Sequence, residues 1–241
     1  MGAFFYFRSM QLFYCPEVFE GDLHLSSDES KHCVKVLRKQ EGDLIHLIDG
    51  KGSFYEVRIS LVSQKKVLFE IIKKWKDKPR TYSLHIAIAP TKNNDRFEWF
   101  LEKATEIGID EITPIICAHS ERKVIKHERM EKIILSATKQ SLKAHLPILN
   151  PAISFKEFLS KKHTLDCFIA HCEEQDKTTL QSIVTKNSLI LIGPEGDFSS
   201  KEIDLALAKG FKPVSLGYSR LRTETAGIVA CHTIALHHEK A

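Results

Sequence analysis

Two kinds of hydrophobic spacing follow one another along this chain. Up to about residue 75 the apolar positions come in short runs: Leu44-Ile45-His46-Leu47-Ile48, Ser53 to Ile59 and Val67 to Ile72. Runs of this length bounded by turn residues read as β-strands. Asp49-Gly50-Lys51-Gly52 separates the first two, and an Asp-Gly step between apolar runs predicts a hairpin because glycine takes the positive φ of a tight turn. Asp28 to Arg38 reads as a helix that turns Cys33, Val36 and Leu37 inward at i, i+3, i+4 and carries Lys31, Lys35 and Arg38 on another face at i, i+4, i+7. Such short strands around one helix predict a small β-barrel over residues 10–75. The charged stretch 73–80, Lys-Lys-Trp-Lys-Asp-Lys-Pro-Arg, marks a domain boundary before a second domain over 81–241.

From Ser83 onward strand and helix patterns alternate. Leu84, Ile86 and Ile88 form a strand; Phe97, Phe100, Leu101, Ala104 and Ile107 keep helical spacing, with Asp95 and Glu98 at capping-box distance and Gly108 as the stop. Ile112 to Cys117 is the next strand, and Met130, Ile133, Ile134, Ala137 and Ser141 mark a helix ending before Pro147. Ser154 with Glu157 caps a short helix, and Cys167–Ala170, Leu189–Ile192 and Val214–Leu216 are strands. Ser199 with Glu202 opens the helix between the last two, Gly210 closes it, and Ala226, Val229, Ala230 and Thr233 form the buried stripe of a final helix. This alternation predicts an α/β domain with a mostly parallel sheet and helices on both faces.

Composition narrows the class. Of 241 residues, 43% are hydrophobic and 27% charged, the ordinary range for a folded domain. No apolar run approaches the roughly 18–20 residues of a membrane helix. The opening Met1 to Phe7 is too short for a secretory signal and lacks a small-residue cleavage site, so a cytoplasmic location is expected. Met10 is a second possible start, which makes residues 1–9 a dispensable leader. The six cysteines (15, 33, 117, 167, 172, 231) contain no C-x-x-C pair and read as reduced core residues. His171 beside Cys172 has no second ligand pair, and no metal site is expected. The net charge of +4 is compatible with a nucleic-acid partner without demanding one.

No G-x-G-x-x-G follows the first strand of the α/β part, and no P-loop, G-x-S-x-G or H-E-x-x-H motif occurs. Two other segments carry candidate chemistry. Leu191-Ile192-Gly193-Pro194-Glu195-Gly196-Asp197-Phe198 follows a buried strand, where ligands of open α/β sheets bind. Its glycines allow a sharp bend and close approach to a ligand, although a plain strand-to-helix turn is served equally well. Leu216-Gly217-Tyr218-Ser219-Arg220-Leu221-Arg222-Thr223-Glu224-Thr225-Ala226 is again strand, loop and helix start. Glu224 suits the helix dipole there; Arg222 does not, which points to a substrate role.

Together these segments resemble the RsmE family of SPOUT methyltransferases, whose pattern is close to G-P-E-G-G-F followed by L-G-x-x-I-L-R-x-E-T-A. Further likeness lies in Lys92, Asp95-Arg96, Lys103-Ala104-Thr105-Glu106-Ile107-Gly108, Ser120-Glu121-Arg122, and His32 with Val36-Leu37-Arg38. Asp197 stands for a glycine, Arg220 for an isoleucine, Gln11 for an arginine, and Lys139-Gln140-Ser141-Leu142-Lys143 where E-Q-S/C-G-R is usual. The resemblance implies an N-terminal PUA-like RNA-binding barrel and a C-terminal α/β domain tied in a deep trefoil knot, a homodimer, and transfer of a methyl group from S-adenosylmethionine to N3 of one uridine in 16S ribosomal RNA or the small ribosomal subunit. It implies cofactor contacts from Ala170, His171, Ile192, Gly193, Pro194, Glu195, Gly196, Leu216, Gly217, Leu221, Thr225 and Ala226. RNA contacts would come from Lys31, Lys35, Arg38, Lys92, Arg96 and Arg122.

Methylating N3 requires the nitrogen to be held in line with the sulfonium and its proton to be removed. Arg222 is the expected stabiliser of charge on the uridine oxygens, and Glu224 or a water the proton acceptor. Two other classes stay open: a SPOUT enzyme acting on another RNA position, and a non-catalytic RNA-binding ribosome-assembly factor of the same fold.

Overall fold

The computed structural model describes residues 10–18, 23–63, 66–174 and 176–239; the leader expected at residues 1–9 lies outside them. The chain divides into two compact units: residues up to Pro79 together with Leu135–Leu146, and Arg80–Ile134 together with the chain from Pro147 onward.

The first unit is built on a four-stranded sheet in the order β1 (Leu12–Tyr14), β2 (Leu44–Ile48), β3 (Ser53–Val62), β4 (Val67–Lys76). β1 runs parallel to β2, and β2, β3 and β4 are antiparallel neighbours. The expected hairpin forms with Ile48 opposite Phe54. Asp49 holds its turn by accepting from Lys51 N at 2.8 Å and Ser53 N at 2.9 Å, and Gly50 and Gly52 take φ of 73° and 90°. The charged stretch does not end the sheet at residue 72: β4 runs through Lys73-Lys74-Trp75-Lys76. Its lysines face solvent, and Trp75 stacks on Phe54 at 5.5 Å, so a strand with one solvated face tolerates the charge.

The helix expected over 28–38 is shorter and different in kind. α1 (Ser27–Lys31), capped by Ser26, passes into a π-turn over His32–Val36, closed by Leu37 N to His32 O at 3.1 Å. The wider π-turn shifts every later side chain around the axis. Cys33 stays buried, but Val36 is 65% exposed instead of facing the core. Arg38 lies beyond the turn with φ 54°, so the continuous helical spacing expected for Lys31, Lys35 and Arg38 is interrupted. In the same unit Lys139 Nζ meets the mostly buried Glu29 carboxylate at 2.6 Å, and Ala144 packs with Leu12, Ile48 and Phe54.

The second unit is an α/β layer structure with a parallel sheet. The strands are β5 (Ser83–Ile88), β6 (Glu111–Ile116), β7 (Ile148–Leu149), β8 (Ile153–Ser154), β9 (Asp166–Ala170), β10 (Thr178–Thr179), β11 (Asn187–Ile192) and β12 (Lys212–Ser215). Their order is β10-β12-β9-β11-β5-β6-β7, with β8 also beside β6, and all these pairings are parallel. The helices are α2 (Asn94–Ile107), α3 (His127–Gln140, whose residues from Leu135 belong to the first unit), α4 (Phe155–Ser160), α5 (Leu180–Ile183), α6 (Ser200–Ala208) and α7 (Thr223–Glu239). Asn93, not Asp95, caps α2, accepting from Asp95 N at 3.0 Å, and Glu98 pairs with Arg129 instead of closing a capping box. Ser199 and Glu202 do form the expected box on α6, and Gly108 ends α2 at φ 130°.

The buried side of α7 is offset from the expected stripe: Thr223, Glu224, Gly227, Ala230, Cys231, Ile234 and Ala235 are buried, whereas Ala226, Val229 and Thr233 are half-buried. Gly227 brings the helix against Phe100 of α2 and Ile88 of β5. Of the cysteines, 15, 33, 117 and 231 are buried, Cys167 is half-buried, and Cys172 is exposed, which corrects its reading as a core residue. Among the described residues no helix is long and apolar enough to cross a membrane.

Candidate functional site

The strand order brings the two loops singled out by sequence to one place. β9 lies between β11 and β12, with Ala170 opposite both Ile192 and Val214. Because the strands are parallel, the loops leaving β9, β11 and β12 emerge at the same sheet edge. Two hydrogen bonds join them, and a third steadies Asp197 within its own loop. Thr223 Oγ1 donates to Gly193 O at 3.0 Å in a buried contact. Asp197 Oδ2 accepts from Cys172 N at 2.6 Å, and its Oδ1 from Phe198 N at 2.8 Å.

Two adjoining cavities open between these loops. One, of about 480 Å3, is lined by His171, Lys177 and the Leu216–Arg220 loop; the other, of about 230 Å3, by Ile192-Gly193-Pro194-Glu195, Asp197, Arg222 and Thr223. Ala170, Cys172, Arg220, Leu221 and Ala226 face both. Gly217 has φ 132°, a torsion that favours glycine, and a Cβ on Gly193 would sit 3.1 Å from the Phe198 ring. His171 is 8% exposed, and neither ring nitrogen has a hydrogen-bond partner among the described residues. Burial, aided by the Lys177 cation, lowers its pKa, so the ring is neutral at pH 7. An imidazole at a cavity wall whose nitrogens have no protein partner can bond to a polar ligand or to water. Apolar walls, backbone groups freed by glycine and this unsatisfied imidazole suit a nucleoside.

A third hollow, of about 430 Å3, is lined by Asp95, Arg96, Trp99, Arg222, Glu224 and Thr225. Arg222 is common to it and the smaller cavity. Glu224 is 6% exposed; its Oε1 lies 3.8 Å from Arg96 Nε, and its Oε2 is buried without a hydrogen-bond partner among the described residues.

Most residues named from sequence therefore meet here, with differences. Thr225 lines the Arg96–Glu224 hollow, not the two cavities between the loops. Gly196 lines none of the three; it packs on His119, whose Cβ would lie 3.1 Å from an added Cβ and whose Nδ1 is 3.1 Å from Gly196 O. Glu195 Oε1 accepts from Lys92 N at 2.8 Å, Lys92 Nζ meets Glu121 at 2.7 Å, and Arg122 Nε donates to Thr91 O and Lys92 O at 3.0 and 3.1 Å. Lys92 thus ties the loop after β5 to the Gly-Pro-Glu-Gly turn, Arg122 ties that same loop to the one after β6, and Arg96 faces the hollow. Lys31, Lys35 and Arg38 belong to the other unit. Sequence reasoning missed Cys172, Lys177, Arg220, Asp197 and Trp99 as lining residues. The exposed aromatic Trp99, breaking the polar face of α2, is the one signal that could have been found.

Known proteins give an independent comparison. A model of an RNA methyltransferase domain matches residues 78–235, and one of an RNA methyltransferase PUA domain matches residues 25–72. The ribosomal RNA small subunit methyltransferase E of Rickettsia conorii is 31% identical over 89% of both chains. A crystal structure of a probable rRNA-methyltransferase from Porphyromonas gingivalis is 43% identical, with a TM-score of 0.89 over 96% of this chain and 99% of that one. The Neisseria gonorrhoeae ribosomal RNA small subunit methyltransferase E, bound to S-adenosyl methionine, is 27% identical with a TM-score of 0.82, covering 94% of this chain and 97% of its own. With the loops converging as they do and the likeness spanning nearly its whole length, this chain belongs to the ribosomal RNA small subunit methyltransferase E family of RNA methyltransferases.

Proposed function

We propose that this chain methylates N3 of a uridine in small-subunit ribosomal RNA, using S-adenosylmethionine, and that it works in the cytoplasm as a homodimer. The observation that carries this reading is the meeting of the smaller inter-loop cavity with the Arg96–Glu224 hollow at one side chain, Arg222. S-adenosylmethionine supplies an electrophilic methyl group; the protein's task is to place it and prepare the acceptor. Ile192, Gly193, Leu216, Gly217 and Leu221 would hold the nucleoside and the arm that bears the sulfonium through apolar surface and backbone groups, with His171 satisfied by a polar group of the cofactor. Arg222 faces the hollow from the cavity side, where a guanidinium stabilises negative charge on the uridine oxygens as N3 loses its proton. Glu224, or a water beside it, receives that proton.

The same reading makes the C-terminal segment a trefoil knot around the loops after β11 and β12, and the four-stranded unit part of a PUA-like barrel. Lys31, Lys35 and Arg38 on that unit are exposed and available to phosphates.

Two measurements test it. Calorimetry on the purified protein should show one S-adenosylmethionine bound per chain. Mass spectrometry of ribosomal RNA from cells with and without the gene should show loss of a single N3-methyluridine. Cofactor binding with unchanged small-subunit RNA would move the acceptor elsewhere, and RNA binding without cofactor binding would make the chain a non-catalytic factor.

A further inference from the structure

The hollow beside Arg222 contains a side chain that lies outside the two cavities between the loops and off the buried face of its helix. α2 buries Phe97, Phe100, Leu101, Ala104 and Thr105. Trp99 is on the other side of the helix, 43% exposed, so an indole is left on the surface beside two guanidiniums. Glu224 lines the same hollow, and its buried Oε2 has no hydrogen-bond donor among the described residues. A hydrophobic partner would leave that carboxylate unsatisfied.

Resting on the methyltransferase reading above, we infer that this hollow is the acceptor-base site, that Trp99 is its stacking wall, and that it selects uracil over cytosine. The edge of uracil presents a carbonyl, an N3–H and a second carbonyl. The hollow supplies the complementary groups: the Glu224 carboxylate and the donors of Arg96 and Arg222. Cytosine carries an unprotonated acceptor at N3, which would face the carboxylate with no proton between them. Proteins that bind unpaired bases use this combination of an aromatic face and cationic side chains. In the transfer step N3 forms a bond to the methyl carbon and the carbon–sulfur bond breaks, its electron pair remaining on sulfur. The N3 proton passes to the Glu224 carboxylate and leaves to solvent after the product departs.

The chain has two tryptophans, Trp75 and Trp99. A Trp75→Phe protein therefore reports on Trp99 alone, after calorimetry confirms that it binds S-adenosylmethionine. With S-adenosylhomocysteine present, an unstructured uridine-rich 10-mer should quench Trp99 emission, and a cytidine-rich 10-mer should need at least about tenfold more RNA. Trp99→Ala should raise KM for RNA about tenfold or more, Trp99→Phe should recover most of it, and Kd for S-adenosylmethionine should not change. In the unaltered protein, 5-iodouridine in the RNA should photo-crosslink to the α2 peptide. Equal quenching by both RNAs, no quenching by either, or a crosslink elsewhere would overturn the assignment. An emission change that follows protein concentration without RNA would assign the hollow to a second copy of the chain. Each of these leaves the methyltransferase reading intact if S-adenosylmethionine still binds; loss of that binding in the unaltered protein would overturn the reading itself.

Discussion

Asp197 shows how a single carboxylate can hold a strained loop in register. Its φ of 61° is a left-handed torsion that asparagine and aspartate tolerate better than other side chains, and it stands where the family pattern has glycine. Its two oxygens accept from Cys172 N and Phe198 N, tying the loop after β9 to the loop after β11. Asp197→Ala keeps the strain and loses both bonds; S-adenosylmethionine affinity should fall about tenfold by calorimetry, the effect of roughly one charge-assisted hydrogen bond. Asp197→Gly should lose less, because the strain goes too, and equal affinities in all three proteins would show that the tie does not shape the cavity. His85 governs acid stability at the same scale. It is 7% exposed, its Nε2 is 2.7 Å from Thr113 Oγ1, and burial pushes its pKa down from 6.5 to about 4 against the opposing pull of Glu111. Between those values the unfolded chain binds a proton that the folded chain does not, so stability is complete above pH 6.5 and falls as pH drops toward 4. Urea unfolding at pH 5 should show a loss of order 2 kcal/mol relative to pH 7, and His85→Gln should lessen it. The lowered pKa of His171 acts in the same direction.

At the scale of elements, α2 and α7 stand close enough to have no space for another methyl group. A Cβ at position 227 would lie 2.6 Å from Phe100 Cε2 and 3.0 Å from Ile88 Cδ1. Gly227→Ala should therefore destabilise the protein by about 1–3 kcal/mol despite alanine's better helix propensity, lowering the thermal midpoint by roughly 2–8 °C. A midpoint at or above the wild-type value would show that α7 can slide. The start of α6 was legible because its capping box spans only Ser199 to Glu202, and both bonds form. That Glu202 also accepts from Ala118 N at 2.8 Å, across the unit's core, was not legible. The π-turn after α1 was hidden for a related reason: residues His32 to Val36 carry an acceptable α-helical spacing, and the register changes only because surrounding packing selects Cys33 over Val36 for burial.

At the scale of the whole molecule, α7 carries apolar residues on nearly every side: Ile228 and Val229 are half-buried and Leu236 is 38% exposed. Sedimentation equilibrium should give the mass of two chains, and a single-chain mass at micromolar concentration would remove the homodimer from the proposal. The alternating strand and helix pattern, the hairpin glycines and both chemical loops could be read directly from the residues, because periodicity, capping and glycine torsions act over a few positions. Strand order could not be. Placing β9 between β11 and β12 is what joins the two loops into one cleft, and it depends on how the complete sheet packs against its helices. The same is true of Leu135–Leu146 grouping with the N-terminal strands, of His119 packing on Gly196, and of Trp99 facing Arg222 and Glu224. Each of these brings together residues far apart in the chain, and no local torsional preference selects such partners: packing of the folded core does.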